Sequence, residues 1–436
     1  MLRETIGRLG PSGVMSLAGQ RGWILRIPAK SMSMTNPHTA PGGEIPGHIP
    51  VLDGFRGLAA LMVTVFHCWL MTDPALDRGF ILHLLIGQGL GVDFFFVLSG
   101  FVLFLPVVRR GGELGSIRDY ARRRFARIAP AYYIALLFQS VLTPVLTRFP
   151  SPWLAPGGGA VLLSHFLFLQ HQTPSWLMRQ LGFPHAIMGF GVNGALWSLS
   201  IEILFYATLP LIAGFYYRRP RLGLILGVGI GFGWRLAGYL LPSVGELLGW
   251  QIGAGSGARL ASQFPGYATH FAFGMTAALA FAALWQRRLQ HSLPSVGAAQ
   301  IATLCALIVS VATYGSASNG PGELFYDRYL DDVIPAAAFA TLMTLTAVGS
   351  PRGQWLMSNP LARWLGDVSY GIFLWHFPLI LLFGETLGWV EGNGDASFIR
   401  MTLLVVPSSA LLGAISRQWI ELPAIAWARR RQGPRP

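Results

Sequence analysis

Residues 51–71 read VLDGFRGLAALMVTVFHCWLM. Apart from Asp53, Arg56 and His67 the run is apolar or small, and at 1.5 Å per residue it extends about 30 Å, the thickness of a bilayer's hydrocarbon core. Similar runs recur at about 84–108, 128–147, 195–216, 222–241, 260–285, 298–315, 332–349, 368–386 and 400–422. Composition agrees, since 53% of the 436 residues are hydrophobic and only 12% charged, with a mean hydropathy of +0.49 that no soluble domain of this size would show. The expected fold is all-α: a polytopic membrane protein of about ten transmembrane helices solvated by lipid.

The net charge of +13 does not mark a nucleic-acid binder, because the basic residues lie in short clusters between apolar runs and form no continuous patch. It is a topology signal. Loop 109–127 holds Arg109, Arg110, Arg118, Arg122, Arg123, Arg124 and Arg127, and loop 217–221 holds Arg218, Arg219 and Arg221. Arg287 and Arg288, Arg352 and Arg363, and Arg429 to Arg431 mark 286–297, 350–367 and the C-terminal tail 426–436. Cytoplasmic loops carry the excess of basic residues, so these segments belong inside, while the intervening ones hold Asp73, Asp77, Glu246, Glu323, Asp327, Asp331, Asp332, Glu391 and Asp395. The alternation places both termini in the cytoplasm and the protein in the cytoplasmic membrane, with residues 1–48 as a cytoplasmic tail and 49–425 as one membrane domain. That tail has no apolar core followed by a small-residue cleavage site, and so does not read as a signal peptide.

Residues 159–172, GAVLLSHFLFLQHQ, are apolar but short of the roughly 17 to 25 needed to span. If they crossed, every later basic loop would lie outside. They are therefore assigned, with 173–193, to a re-entrant or interfacial excursion on the outer face. Cys68 and Cys305 each lie in an apolar run, which excludes a disulfide framework and a thiolate metal site. No metal is expected.

Charges inside spans are costly, about 2.5 to 3.5 kcal/mol at the bilayer centre, and each needs a partner, a cavity or a function. Arg56 and His67 are eleven residues apart, close to three full turns, so they share a face and are separated by about 16 Å along the axis. Such a helix could join an anion site at the cytoplasmic surface to a buried proton acceptor. A snorkelling Arg56 and a hydrogen-bonded bundle histidine are the other reading. Arg124 and Arg127, at i and i+3, could hold a multivalent anion such as phosphate, or could simply anchor the span. Glu202 lies about 12 Å into its span with Tyr206 one turn on, and His376 lies at a comparable depth from the inner side. Asp93 is either a site residue or a carboxylate at a helix N-terminus. Ser99 and Gly100 suit close helix packing. Arg417 and Glu421, at i and i+4, read as an internal ion pair, while Arg235, His270 and Glu385 have no role that spacing suggests.

LDGFRGLAALMVTVFH (52–67), GVDFFFVLSGFVL (91–103), RRRFARIAPAYY (122–133), WSLSIEILFY (197–206) and SYGIFLWHFP (369–378) occur in that order. Together they resemble the acyltransferase-3 family of membrane O-acyltransferases, which modify sugars, peptidoglycan, lipopolysaccharide, nodulation factors and some macrolides. The resemblance covers about residues 50 to 425. It implies an acyl-coenzyme A donor on the cytoplasmic side, an Arg-x10-His pair in Arg56 and His67, and an Arg-x-x-Arg pair in Arg124 and Arg127, with Arg123 beside them. It also implies roles for Glu202 and His376. One departure is Ile203, where many relatives carry a second Glu. No appended soluble esterase-like domain is visible, unlike the two-domain members.

The expected function is transfer of an acyl group, acetyl by preference, from acyl-coenzyme A to a hydroxyl of a carbohydrate, glycolipid or other hydroxylated acceptor. In this reading His67 is the general base or an acylated nucleophile, Glu202 or His376 orients it or relays its proton, and Arg56 guides the donor or stabilises the oxyanion. A transporter or flippase would also need charges at the membrane midplane, and is the alternative of another class.

Overall fold

Lipid offers backbone amides and carbonyls no partner, so each apolar run must close its hydrogen bonds within itself. The computed structural model describes residues 44–72, 74, 84–85, 87–146, 158–172, 193–241, 243, 260–287, 293–313, 330–389 and 394–430, and among the described residues there are helices and no strand. Residues 1–43 of the assigned tail, and 173–192 of the outer excursion, lie outside that set. In chain order the helices are α1 (Pro50–Thr72), α2 (Gly91–Arg109), α3 (Ile117–Leu146), α4 (Gly158–Phe166), α5 (Trp197–Arg218), α6 (Pro220–Leu240) and α7 (Ala268–Gln286). They continue with α8 (Leu293–Thr313), α9 (Val333–Val348), α10 (Pro351–Ser358), α11 (Pro360–Leu387), α12 (Gly394–Ser416), a π-helical turn Arg417–Glu421 and α13 (Leu422–Arg430).

The chain is an all-α polytopic membrane protein. Among the described residues seven helical stretches are long and apolar enough to cross, and α9 with α10, bent by 117° at their junction, makes an eighth if the two count as one span. A helix stands at each of the ten expected positions. However, α3 carries five arginines in its first eleven residues, and α8 offers only the shorter apolar stretch Val296–Ala312. At nine residues α4 extends about 14 Å, too short to span. Large apolar side chains such as Leu211, Ile225, Leu403 and Leu411 are exposed, as they must be where the neighbour is lipid.

Several segments read as loops are partly helical. The basic segment 109–127 turns at Gly111, Gly112 and Gly115, whose φ angles of 66°, 103° and 79° lie in the left-handed region. Ser116 then accepts from the Asp119 amide at 3.2 Å, so α3 starts at Ile117 and Arg118 to Arg127 lie on the helix itself. In 350–367, Ser350 and Asn359 each cap a helix that begins with proline, Ser350 accepting from Gly353 and Asn359 from Ala362. Segment 286–297 likewise gives way to α8 at Leu293, and the C-terminal tail stays helical to Arg430.

Packing centres on two close helix contacts. α1 runs along α11, where an added methyl on Gly57 would fall 2.8 Å from the Gly366 nitrogen. α2 crosses α7 at Gly100, where the same methyl would run into the Phe271 carbonyl and stand 3.1 Å from Gly274 Cα. Small residues allow such approaches without a hydrophobic driving force between helices. α7 also packs on α6 and α9, and α12 covers α1 and α11.

Candidate active site

The glycine contact between α1 and α11 sets a register. From Gly57 to His67 and from Gly366 to His376 is the same ten-residue step, about 15 Å along parallel helices. At its end the two imidazoles meet, with His67 Nδ1 3.2 Å from His376 Nε2 and ring centroids 5.0 Å apart. His376 Nδ1 faces the Ile372 carbonyl at 3.1 Å, which only accepts, so in the neutral ring Nδ1 carries the proton and Nε2 is the acceptor. His67 Nδ1 lies 2.9 Å from the Val63 carbonyl and donates to it and to His376 Nε2. The tautomer this assigns leaves His67 Nε2 as a bare lone pair. Both imidazoles are buried, His67 8% exposed and His376 not at all. Phe377, 5.5 Å from the His67 ring and edge-on to it, closes one side.

Toward the other end of α1 the arginines gather. Arg124 Cζ sits over the rings of Tyr120 and Tyr206 at 5.7 and 5.9 Å, and its buried Nε has no hydrogen-bond partner among the described residues. No carboxylate lies within ion-pair distance of Arg124, Arg127 or Arg123 among the described residues, whereas Arg122 pairs with Asp119 at 3.3 Å. Arg56 pairs with Asp53 at 3.3 Å, and Arg127, Glu202 and Tyr206 are among the charges and dipoles acting on it. His48, ahead of α1, contacts the same Asp53 carboxylate at 2.6 Å; that hydrogen bond raises the pKa of His48 above the usual histidine value.

Glu202 faces this cationic group. Its Oε1 accepts from Ser99 at 2.8 Å and from Tyr206 at 2.6 Å. Tyr206 thus joins the carboxylate to the ring under Arg124, and Tyr120 ties the same turn to α3 by donating to the Tyr206 carbonyl at 3.2 Å. A patch of guanidinium groups in excess over carboxylates, lined by aromatic faces, has the chemistry to hold a phosphate-bearing ligand with an aromatic ring.

Residues 49–416 match the acyltransferase domain that defines the acyltransferase-3 family. The chain belongs to that family. YrhL of Bacillus subtilis is 29% identical over 398 residues, covering 86% of this chain and 55% of that protein. The peptidoglycan O-acetyltransferase OatA of Listeria monocytogenes is 26% identical over 396 residues, covering 86% and 56%. The acyltransferase MdmB of Streptomyces mycarofaciens is 28% identical over 410 residues, covering 88% and 93%. The chain therefore spans little more than half the length of YrhL and OatA. No solved structure matches it.

Within this acyltransferase-3 chain the structure brings His67 against His376, and Arg56, Arg124 and Arg127 around Glu202 and Tyr206. Glu202 has no hydrogen bond to either histidine; its partners are Ser99 and Tyr206. Ser99 is a polar ligand of that carboxylate, so only Gly100 of the small pair serves close packing. Arg417 does not pair with Glu421. It reaches Asp367 at 2.7 Å, while Ser416 approaches Glu421 at 3.5 Å. The physical reason is a competing partner across the helix contact: Asp367 on α11 offers Arg417 both a carboxylate oxygen at 2.7 Å and its backbone carbonyl at 3.1 Å. Sequence spacing also missed that Asp93, Arg235, His270 and Asp332 converge, because they come from four separate elements and no local pattern links them.

Proposed function

We propose that the chain transfers an acetyl group from acetyl-coenzyme A to a hydroxyl of a carbohydrate acceptor, with His67 as general base. The observation that carries this reading is the His67–His376 contact, which leaves His67 Nε2 open on the helix that also bears Arg56. In the proposed sequence Arg124 and Arg127 hold the donor's phosphates near the cytoplasmic face, and the pantetheine arm extends along α1 toward His67. Nε2 takes the acceptor hydroxyl's proton as the oxygen attacks the thioester carbonyl. The tetrahedral intermediate then collapses with cleavage of the C–S bond, and the thiolate of coenzyme A recovers the proton from His67. His376 steadies the rising charge by accepting from His67 Nδ1–H, and Arg56 steers the donor.

The acetyl group and the carbohydrate acceptor rest on the likeness to OatA of Listeria monocytogenes, a peptidoglycan O-acetyltransferase. Orientation with both termini in the cytoplasm rests on the placement of the arginines. The test is incubation of purified protein with labelled acetyl-coenzyme A and peptidoglycan fragments. Label transferred to the fragments in an ester linkage supports the reading. Label that stays on the donor with every hydroxylated acceptor offered contradicts it and favours the transporter.

A further inference from the structure

Asp93 near the start of α2, Arg235 on α6, His270 on α7 and Asp332 just before α9 meet in the interior, none more than 9% exposed. Arg235 grips Asp332 with two hydrogen bonds, Nη1 to Oδ1 at 2.5 Å and Nη2 to Oδ2 at 2.8 Å, and donates from Nε to the Gly266 carbonyl at 2.9 Å. That pair is neutral as a unit and leaves Asp93 unbalanced, with Asp331 adding to the negative field there. The cluster balances once one more positive charge, a proton or a metal ion, joins it.

A proton on Asp93 itself, a proton on His270 and a metal ion are the three ways to supply it. His270 Nε2 lies 3.3 Å from Asp93 Oδ1 and 3.5 Å from Asp332 Oδ2, yet neither ring nitrogen is in hydrogen-bond geometry with any group among the described residues. An N–H at Nε2 would therefore be aimed at neither carboxylate. A metal needs no such alignment, because each ligand points at the ion and not at the other ligands. One ligand atom each of Asp93, His270 and Asp332 lies within 4.8 Å of the others. Separations of 3.3 and 3.5 Å also match the edges of a coordination shell with metal–ligand bonds of about 2.0 to 2.2 Å.

We propose that Asp93, His270 and Asp332 bind a divalent first-row cation of the zinc or manganese kind, with Arg235 holding Asp332 in place through its two-pronged hydrogen bond. One nitrogen and two carboxylate oxygens suit these ions, and a ligating carboxylate held by a hydrogen-bonding neighbour is the usual second layer of such a site. The ion ties α2, α7 and the start of α9 together.

The test uses the full chain purified in detergent without chelator. Elemental analysis should find one metal ion per chain, and stripping with EDTA should lower the thermal unfolding midpoint, which zinc or manganese then restores. Asp93→Asn, which preserves size, and His270→Ala should each weaken metal affinity by at least about tenfold. Should either variant fail to fold, cobalt added to the stripped wild-type protein should give visible ligand-field bands that zinc removes. Wild-type protein that carries no metal and gives no cobalt bands would overturn the proposal and leave a proton on Asp93 or His270 as the balancing charge. Equal metal affinity in wild type and a folded variant would overturn it as well.

Discussion

His67 Nδ1 lies 3.2 Å from His376 Nε2, at the same offset between α1 and α11 that sets Gly57 against Gly366. A register fixed by two glycines thus holds two imidazoles in hydrogen-bond range about 15 Å away. His376 acts through His67, so His376→Ala should lower kcat by about tenfold or more and leave the donor's KM unchanged, a smaller loss than His67→Ala produces. Steady-state kinetics of both variants decide this. A raised donor KM with normal kcat would remove His376 from the chemistry.

The glycine contact gives a second expectation. Gly57→Val would place side-chain atoms against the Gly366 backbone and push α1 off α11. Misplacement of a catalytic group by about 1 Å can lower the rate on the order of 10²-fold, and the Gly57→Val enzyme should show a loss of that size at normal membrane level. Full activity would mean that the histidine register does not depend on the glycines.

Arg124→Ala or Arg127→Ala should weaken coenzyme A binding by about 10- to 150-fold, the effect of losing one charge-assisted contact of about 1.5 to 3 kcal/mol. Arg122→Ala should change it little, since Arg122 is paired with Asp119. Calorimetric titration compares the three. Equal affinities across them would show that α3 is basic only for anchoring.

Apolar runs and arginine clusters were enough to read the all-α membrane fold and to place Arg56, His67, Arg124 and Arg127, because each lies on a short periodic stretch. The contact of His67 with His376 was legible only as a similarity of depth, since the two are 309 residues apart in the chain. Helix starts at Ser116, Ser350 and Asn359 were present as capping residues, two of them followed by proline, but the basic and polar residues around them read as loop. The π turn at Arg417 and the meeting of Asp93, His270 and Asp332 follow from tertiary packing that no local spacing encodes.

Topology is tested by fusion. A reporter placed after Arg219 or Arg288 should be cytoplasmic and one near Asp327 should lie outside. A cytoplasmic signal at Asp327 would contradict the ten-span arrangement, and with it the assignment of α4 to an outer excursion.

Transfer from labelled acetyl-coenzyme A by the His67→Ala protein, measured beside its donor affinity, tests the central claim most directly. Folded His67→Ala protein should bind acetyl-coenzyme A as the wild type does and transfer label to no acceptor, the rate falling by about 10² to 10⁴ or below detection. With donor alone, the wild type should carry no label on the His67 peptide if that residue is a base, and would carry it if His67 were a nucleophile. Acylation of the acceptor at the wild-type rate by His67→Ala would contradict both forms of the mechanism and make His67 a packing residue of α1.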